Sequence, residues 1–276
     1  MNMQVANTAT AFEAPVEAPE EDIHSPYLVN RLLTQKPNLY GTVKFSVVSE
    51  RIRKLGEQLG RPPRVLDLGC STSISREYLA ANGLEFEYCG VDYEAAFSPD
   101  IVMDVRRLYE ERGRLPWVPD VIMLLDVLEH LPGKRDDIVR VMRECNRLIP
   151  DHGEVLVMVP QLYRLDRLKL PHLHYPEHQV RFTLGEWRDI VASAIRVDRI
   201  EGVGYLSCLP YLPMLSPWYK EDNGHGRLFH RLRSKVFEWG PLKPAEIALT
   251  RLLGKSRLLR GWCNSSLMVC RGTQAI

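Results

Sequence analysis

Four carboxylates stand at the ends of short apolar runs. Asp67 follows Arg64-Val65-Leu66, and Asp92 closes Tyr88-Cys89-Gly90-Val91, 25 positions later. Asp104 follows Ile101–Met103, and Asp126 follows Val121–Leu125. Gly69 and Gly90 lie among them. A carboxylate where a buried strand ends can accept hydrogen bonds from a ligand, and its two oxygens suit a vicinal diol such as a ribose. Glu129 and His130 come three and four positions after Asp126. A later stretch, Pro171-His172-Leu173-His174-Tyr175-Pro176-Glu177-His178, adds three more imidazoles. Carboxylates and imidazoles in such groups move protons near neutral pH or hold a divalent cation. The plainer reading of the His-rich stretch is a solvated loop or lid held by imidazole–backbone bonds.

These side chains need a scaffold that brings strand ends together. Apolar spacing predicts a helix over 45–59, stopped by Gly60 and Pro62-Pro63. Strands are expected at 64–68, 86–91, 101–103, 121–125, 153–159, 195–200 and 265–270, with helices at 75–81, 135–148 and 184–194. Thr183 and Glu186 form a capping-box pattern ahead of the last of these helices. The alternation predicts an α/β fold: a doubly wound, mainly parallel, seven-stranded Rossmann-like sheet with an insertion before the last strand. Residues 1–22, rich in Ala, Glu, Pro and Thr, are expected to be a disordered tail. Residues 23–203 would form the core, 204–262 a helical basic insertion with helices near 227–239 and 244–259, and 263–276 the last strand and C-terminus.

Composition narrows the function classes. The 276 residues are 45% hydrophobic with a formal net charge of +1, so bulk charge does not point to nucleic acid. Charge is uneven: residues 1–30 carry five acids and no Lys or Arg, whereas 204–262 carry ten Lys or Arg against four acids. No run approaches a membrane span and no secretory signal pattern opens the chain, so a cytoplasmic protein is expected. The six cysteines form no CxxC pair and read as reduced thiols. The insertion opens on a Pro/aromatic stretch from Tyr205 to Tyr219 suited to capping a pocket. Its Arg227, Arg231, Arg233 and Lys235 suit an acidic acceptor. A solvated face, an oligomer contact and peripheral membrane contact are the competing readings.

The residues Val65-Leu66-Asp67-Leu68-Gly69-Cys70-Ser71-Thr72-Ser73, together with Asp126-Val127-Leu128-Glu129-His130-Leu131, resemble the class I S-adenosylmethionine-dependent methyltransferases over about 45–200 plus the final strand. The resemblance implies S-adenosylmethionine as cofactor. It also implies Asp67, Gly69, Cys70 and Ser71 at the methionine moiety, Asp92 and Tyr93 at the ribose, Asp104 and Val105 at the adenine, and Leu125 and Asp126 beside the methyl donor. Ser71 and Ser73 stand where the family pattern has glycine. A dinucleotide G-x-G-x-x-G would need glycine at Ser71 and Ile74. Glu129, His130 and His178 are the expected catalytic residues. Asp126, Glu129, His130 and His178 are also similar to the divalent-metal set of the ubiquinone-pathway O-methyltransferases and the small-RNA terminal 2′-O-methyltransferases. The expected acceptor is a hydroxyl on a small metabolite or glycan. A non-catalytic cofactor-binding subunit and an RNA 2′-O-methyltransferase are the alternatives.

Overall fold

The computed structural model describes residues 26–33, 38–168, 170, 173, 177–238 and 242–273. The expected tail at 1–22 lies outside them, as do His172, His174, Tyr175 and Pro176. After a short helix α1 (Pro26–Leu33), helix α2 (Leu39–Leu59) begins six residues before the position expected from its apolar spacing. The reason is a cap: the Asn38 side chain accepts from the Gly41 backbone N–H at 2.8 Å, supplying a partner that the first turn lacks. Gly60, at φ 64°, ends the helix in the left-handed region.

The strands are β1 (Arg64–Leu68), β2 (Glu87–Asp92), β3 (Ile101–Val102), β4 (Val121–Leu125), β5 (Glu154–Pro160), β6 (Arg196–Val203) and β7 (Ser265–Arg271). They form one seven-stranded sheet in the order β3-β2-β1-β4-β5-β7-β6. All neighbours are parallel except that β7 runs antiparallel to both β5 and β6. Helices α3 (Ile74–Ala81), α4 (Lys134–Leu148) and α5 (Leu184–Ala192) connect strands. Helices α6 (Gly224–Glu238) and α7 (Leu242–Leu253) lie between β6 and β7. The expected helix over 244–259 ends early because Gly254 leaves it to accept from the Gly202 N–H in β6 at 2.9 Å.

Alternating strand residues face opposite layers, as the two-residue period of a strand requires. Val65, Val121, Met123, Leu156 and Val269 pack against α2, where Val48, Ile52 and Leu55 are buried. Leu66, Ile122, Leu124, Val157 and Met268 pack on the other side against Ile138, Val141 and Met142 of α4 and Trp187 of α5. Each layer is fully apolar at its centre, so the strands have no freedom to slip: a one-residue shift would turn Asp67 into the α4 layer. Cys70, Cys89, Cys145, Cys263 and Cys270 are buried free thiols. Among the described residues no helix is long and apolar enough to cross a membrane.

Candidate functional site

The strand order reverses between β1 and β4, and ligands of open α/β sheets bind outside the carboxyl ends of strands at such a switch point. A cavity of about 520 Å³ lies there. Its wall includes Asp67, Gly69, Cys70 and Ser71 at the end of β1 and in the turn after it, Asp92 and Tyr93 at the end of β2, Asp104 and Val105 after β3, and Leu125, Asp126, Glu129 and His130 at the end of β4 and beyond. His178 joins them from the later loop. The structure thus brings all thirteen of these sequence-derived candidates to one cavity.

The turn after β1 is built for close approach. A Cβ on Gly69, at φ 70°, would meet Val127 at 2.6 Å, and one on Gly90 would meet the Cys70 sulfur at 2.8 Å. Ser71 and Ser73 occupy the left-handed region, at φ 49° and 56°. The loop therefore keeps the backbone a glycine would take, at a local cost of about 1 kcal/mol per residue. The buried Ser71 Oγ has no hydrogen-bond partner among the described residues. A buried hydroxyl without a partner fits a site whose ligand supplies one. The Asp92 carboxylate is buried and accepts from the Ser71 N–H at 2.7 Å and the Glu94 N–H at 2.9 Å. A carboxylate at this place offers two acceptor atoms to a pair of ligand hydroxyls.

Two candidates carry internal bonds that spacing did not announce. Asp67 faces the α2 side and accepts from the hydroxyls of Ser75 and Tyr88. Asp104 lines the cavity, but its carboxylate caps its own 3₁₀ turn and pairs with Arg106, which also reaches Asp137. Burial pushes the Asp67 carboxyl up to about 6, against the hydrogen bonds from Ser75 and Tyr88. A group whose folded pKa is raised binds more protons folded than unfolded. For this acid, the stabilising contribution is full below about 4 and is lost as pH rises through about 6. Wild-type protein should therefore lose roughly 1 kcal/mol relative to Asp67→Asn between pH 5 and pH 7. Urea denaturation of both proteins at the two pH values checks this; an unchanged gap would mean that Asp67 does not titrate there.

The far side of the cavity holds a second group of ionisable side chains. Asp126 sits at φ 62°, which turns its carboxylate toward α2, where Lys44 Nζ donates at 3.0 Å and the Tyr40 hydroxyl at 3.3 Å. Tyr40 also donates to Ser265 Oγ of β7 at 2.6 Å. Burial, then the Asp126 charge, raises the Tyr40 pKa well above the usual phenol value. Glu129 is fully buried, and neither carboxylate oxygen has a hydrogen-bond partner among the described residues. Burial, reinforced by Asp126, holds its pKa far above the ordinary carboxylate range. His178 Nε2 lies 3.9 Å from Glu129 Oε1, and the His130 and His178 rings meet edge to face at 5.0 Å. His130 Nδ1 lies 3.0 Å from the Glu177 carbonyl oxygen. A carbonyl only accepts, so Nδ1 carries the proton in this contact. One ligand atom each from Glu129, His130 and His178 fall within 4.8 Å of one another.

Sequence reasoning missed Tyr40, Lys44 and Ser265. The available signal was Asn38, a good cap, with Tyr40 and Lys44 one turn apart on the same side of the helix it starts. Tyr211 and Met214, part of the expected Pro/aromatic cap, do reach the cavity wall.

A family model described as a methyltransferase domain matches residues 42–194, more than half of the chain. No curated protein matches. Among solved structures, a SAM dependent methyltransferase from Archaeoglobus fulgidus is similar over 90% of this chain and 100% of its own, at 16% identity and a TM-score of 0.51. The plantazolicin methyltransferase BamL, solved with a triazolic desmethylPZN analog and SAH, is similar over 84% of this chain and 86% of its own, at 11% identity and 0.49. A sugar N-methyltransferase from Streptoalloteichus sp ATCC 53650 is similar over 56% and 59%, at 18% identity and 0.35.

Proposed function

Since the chain belongs to the methyltransferase-domain family, as a class I S-adenosylmethionine-dependent enzyme, we propose that it methylates a hydroxyl of a small metabolite or glycan. The observation that carries this reading is His130. Its Nδ1 donates to the Glu177 carbonyl, which fixes the ring at the cavity wall beside Glu129 and His178. An alcohol is a poor nucleophile until its proton is removed as the new bond forms, so an imidazole of fixed tautomer suits oxygen methylation.

When bound, S-adenosylmethionine supplies a methyl group on a positively charged sulfur. Asp92 would hold the ribose diol, Tyr93 would lie beside that sugar, and Asp104 and Val105 would meet the adenine. Asp67, Gly69, Cys70 and Ser71 would surround the methionine part, with Leu125 and Asp126 on the donor side. The buried, unpartnered Ser71 hydroxyl and the tight Gly69 turn fit that assignment. Glu129 would bind the acceptor with its two unengaged oxygens. His178, edge-on to His130, would keep the base in place. His130 Nε2 would take the hydroxyl proton while the acceptor oxygen gains the methyl group. The test is transfer of radiolabelled methyl to a panel of sugars and phenols alongside their deoxy counterparts. Label should enter the hydroxylated member only; transfer to amines alone would overturn the reading.

A second reading rests on the unpartnered Glu129 carboxylate beside two imidazoles. Glu129, His130 and His178, with Asp126 alongside, would hold a divalent cation; one carboxylate and two imidazoles suit several metals. Exhaustive chelation separates the two readings. We expect turnover to persist within about twofold after chelation, because a histidine base works without metal. A loss reversed by Mg²⁺ or Mn²⁺ would establish the cation instead. On either reading, residues 23–203 with 263–276 would carry the cofactor site and 204–262 the acceptor cap.

A further inference from the structure

The chain between β6 and β7 does more than roof the cavity. Its 3₁₀ segment Leu206–Leu215 turns Tyr211 and Met214 inward, and leaves Leu209 and Leu212 exposed. The segment is held from below: buried Glu246 of α7 accepts from the Leu206 and Ser207 N–H groups, and Ser207 Oγ meets the Tyr163 hydroxyl at 2.8 Å. Helix α6 packs on it through Phe229 against Tyr211 and Tyr219. That packing leaves Arg227, Leu228, Arg231 and Lys235 exposed on α6. The three cations are four residues apart, a ridge along one side of the helix, and the only acid of α6 is Glu238 at its end. Beyond α7, Lys255, Arg257 and Leu258 are exposed, and the Arg164 guanidinium covers the half-exposed Trp262 ring at 4.6 Å.

Of twelve large apolar side chains exposed among the described residues, eight lie between Leu209 and Trp262. Trp218 is 76% exposed and Leu258 82%. Such a concentration in one stretch of the chain is the composition of a contact surface, and its chemistry restricts the partner. A symmetric second copy would set the cationic ridge against itself or its own basic surroundings. A nucleic-acid backbone would satisfy the cations and leave the Trp and Leu side chains in water. A bilayer with anionic headgroups satisfies both: the apolar side chains enter the interface and the cations meet the headgroups.

We propose that the described residues between Leu206 and Trp262 form a docking surface for an anionic lipid bilayer. Docking needs no cofactor. That it brings the cavity to an acceptor at the headgroup plane rests on the methyltransferase reading above. The experiment is co-sedimentation of the full chain with vesicles of phosphatidylcholine alone and of phosphatidylcholine containing phosphatidylglycerol. Binding should appear with the second and weaken steeply as salt rises, because the cations lie at the surface. The double variants Arg227→Glu with Arg231→Glu, and Trp218→Ser with Leu258→Ser, should each weaken it about tenfold or more, since each cation near an anionic surface carries a share of the attraction. Both should melt within a few degrees of the wild type, because the four side chains lie at the surface, where Arg227 gives up its bond to the Asp222 carbonyl. Equal binding to both vesicles, or none to either, would overturn the proposal. So would a dimer in sedimentation equilibrium that Trp218→Ser with Leu258→Ser dissolves, which would assign the surface to a second copy. Vesicle binding without methyl transfer to any hydroxylated acceptor would leave the docking surface standing and remove the hydroxyl-methylation reading alone.

Discussion

Replacing Asp92 with alanine should weaken S-adenosylmethionine binding about 100-fold or more in calorimetric titration. The carboxylate ends β2 at the cavity wall, buried, with one backbone N–H on each oxygen. Those bonds fix its orientation before any ligand arrives, so little ordering cost remains when a ribose diol donates to it. Two hydrogen bonds to an ionised acceptor are together worth about 3 kcal/mol, which is about 100-fold in affinity. The substitution also releases the Ser71 N–H, so the apo protein should melt a few degrees lower. A cofactor analogue lacking both ribose hydroxyls separates the effects. If Asp92 holds the diol, the analogue binds wild type poorly but loses little further affinity in Asp92→Ala. Retained tight binding of S-adenosylmethionine by the variant would remove the ribose role.

The second large effect belongs to His130. His130→Ala should lower kcat by about 100-fold or more, the usual worth of a positioned general base, and leave SAH affinity within about threefold. The separation follows from position: His130 belongs to the 3₁₀ turn after β4, and its Nδ1 is anchored to the Glu177 carbonyl. His178→Ala should give a smaller kcat loss, because that ring meets His130 only through its edge. Added imidazole should partly restore His130→Ala, since a diffusing base can enter the space vacated by the ring. If cofactor affinity and kcat fell together in His130→Ala, the residue would be holding the cavity wall.

Much of this arrangement was legible in the chain, because a doubly wound sheet advertises itself. Val121–Leu125 is apolar throughout because both faces of β4 are covered, and Asp126 marks where the cover stops. The same logic located Asp67, Asp92 and Asp104. Partners were less legible than positions. Asp104 has Arg106 two residues away, and the pairing is a local 3₁₀ cap that a strand-end argument does not consider. Tyr40 and Lys44 were hidden because Gly41, Thr42 and Lys44 interrupt the apolar pattern of α2 and conceal its first turns. Their contacts with Asp126 join residues more than eighty positions apart, and no periodicity encodes that. The αL backbone at Ser71 and Ser73 was equally invisible, since residue identity there argued for the opposite.

The antiparallel β7 makes the protein's maturation a matter of timing on the ribosome. Among the described residues β6 hydrogen-bonds to no strand but β7, and β7 is also the outer neighbour of β5. While residues 204–264 emerge, a finished β6 has no place in the sheet and β5 presents a bare edge, the surface on which nascent chains aggregate. Ser265, which ties Tyr40 into the cavity wall, arrives with the same late strand. Assembly of the cavity is thus gated by translation: the first half of the chain can fold early, but its ligand site closes only when residues 265–271 have left the exit tunnel.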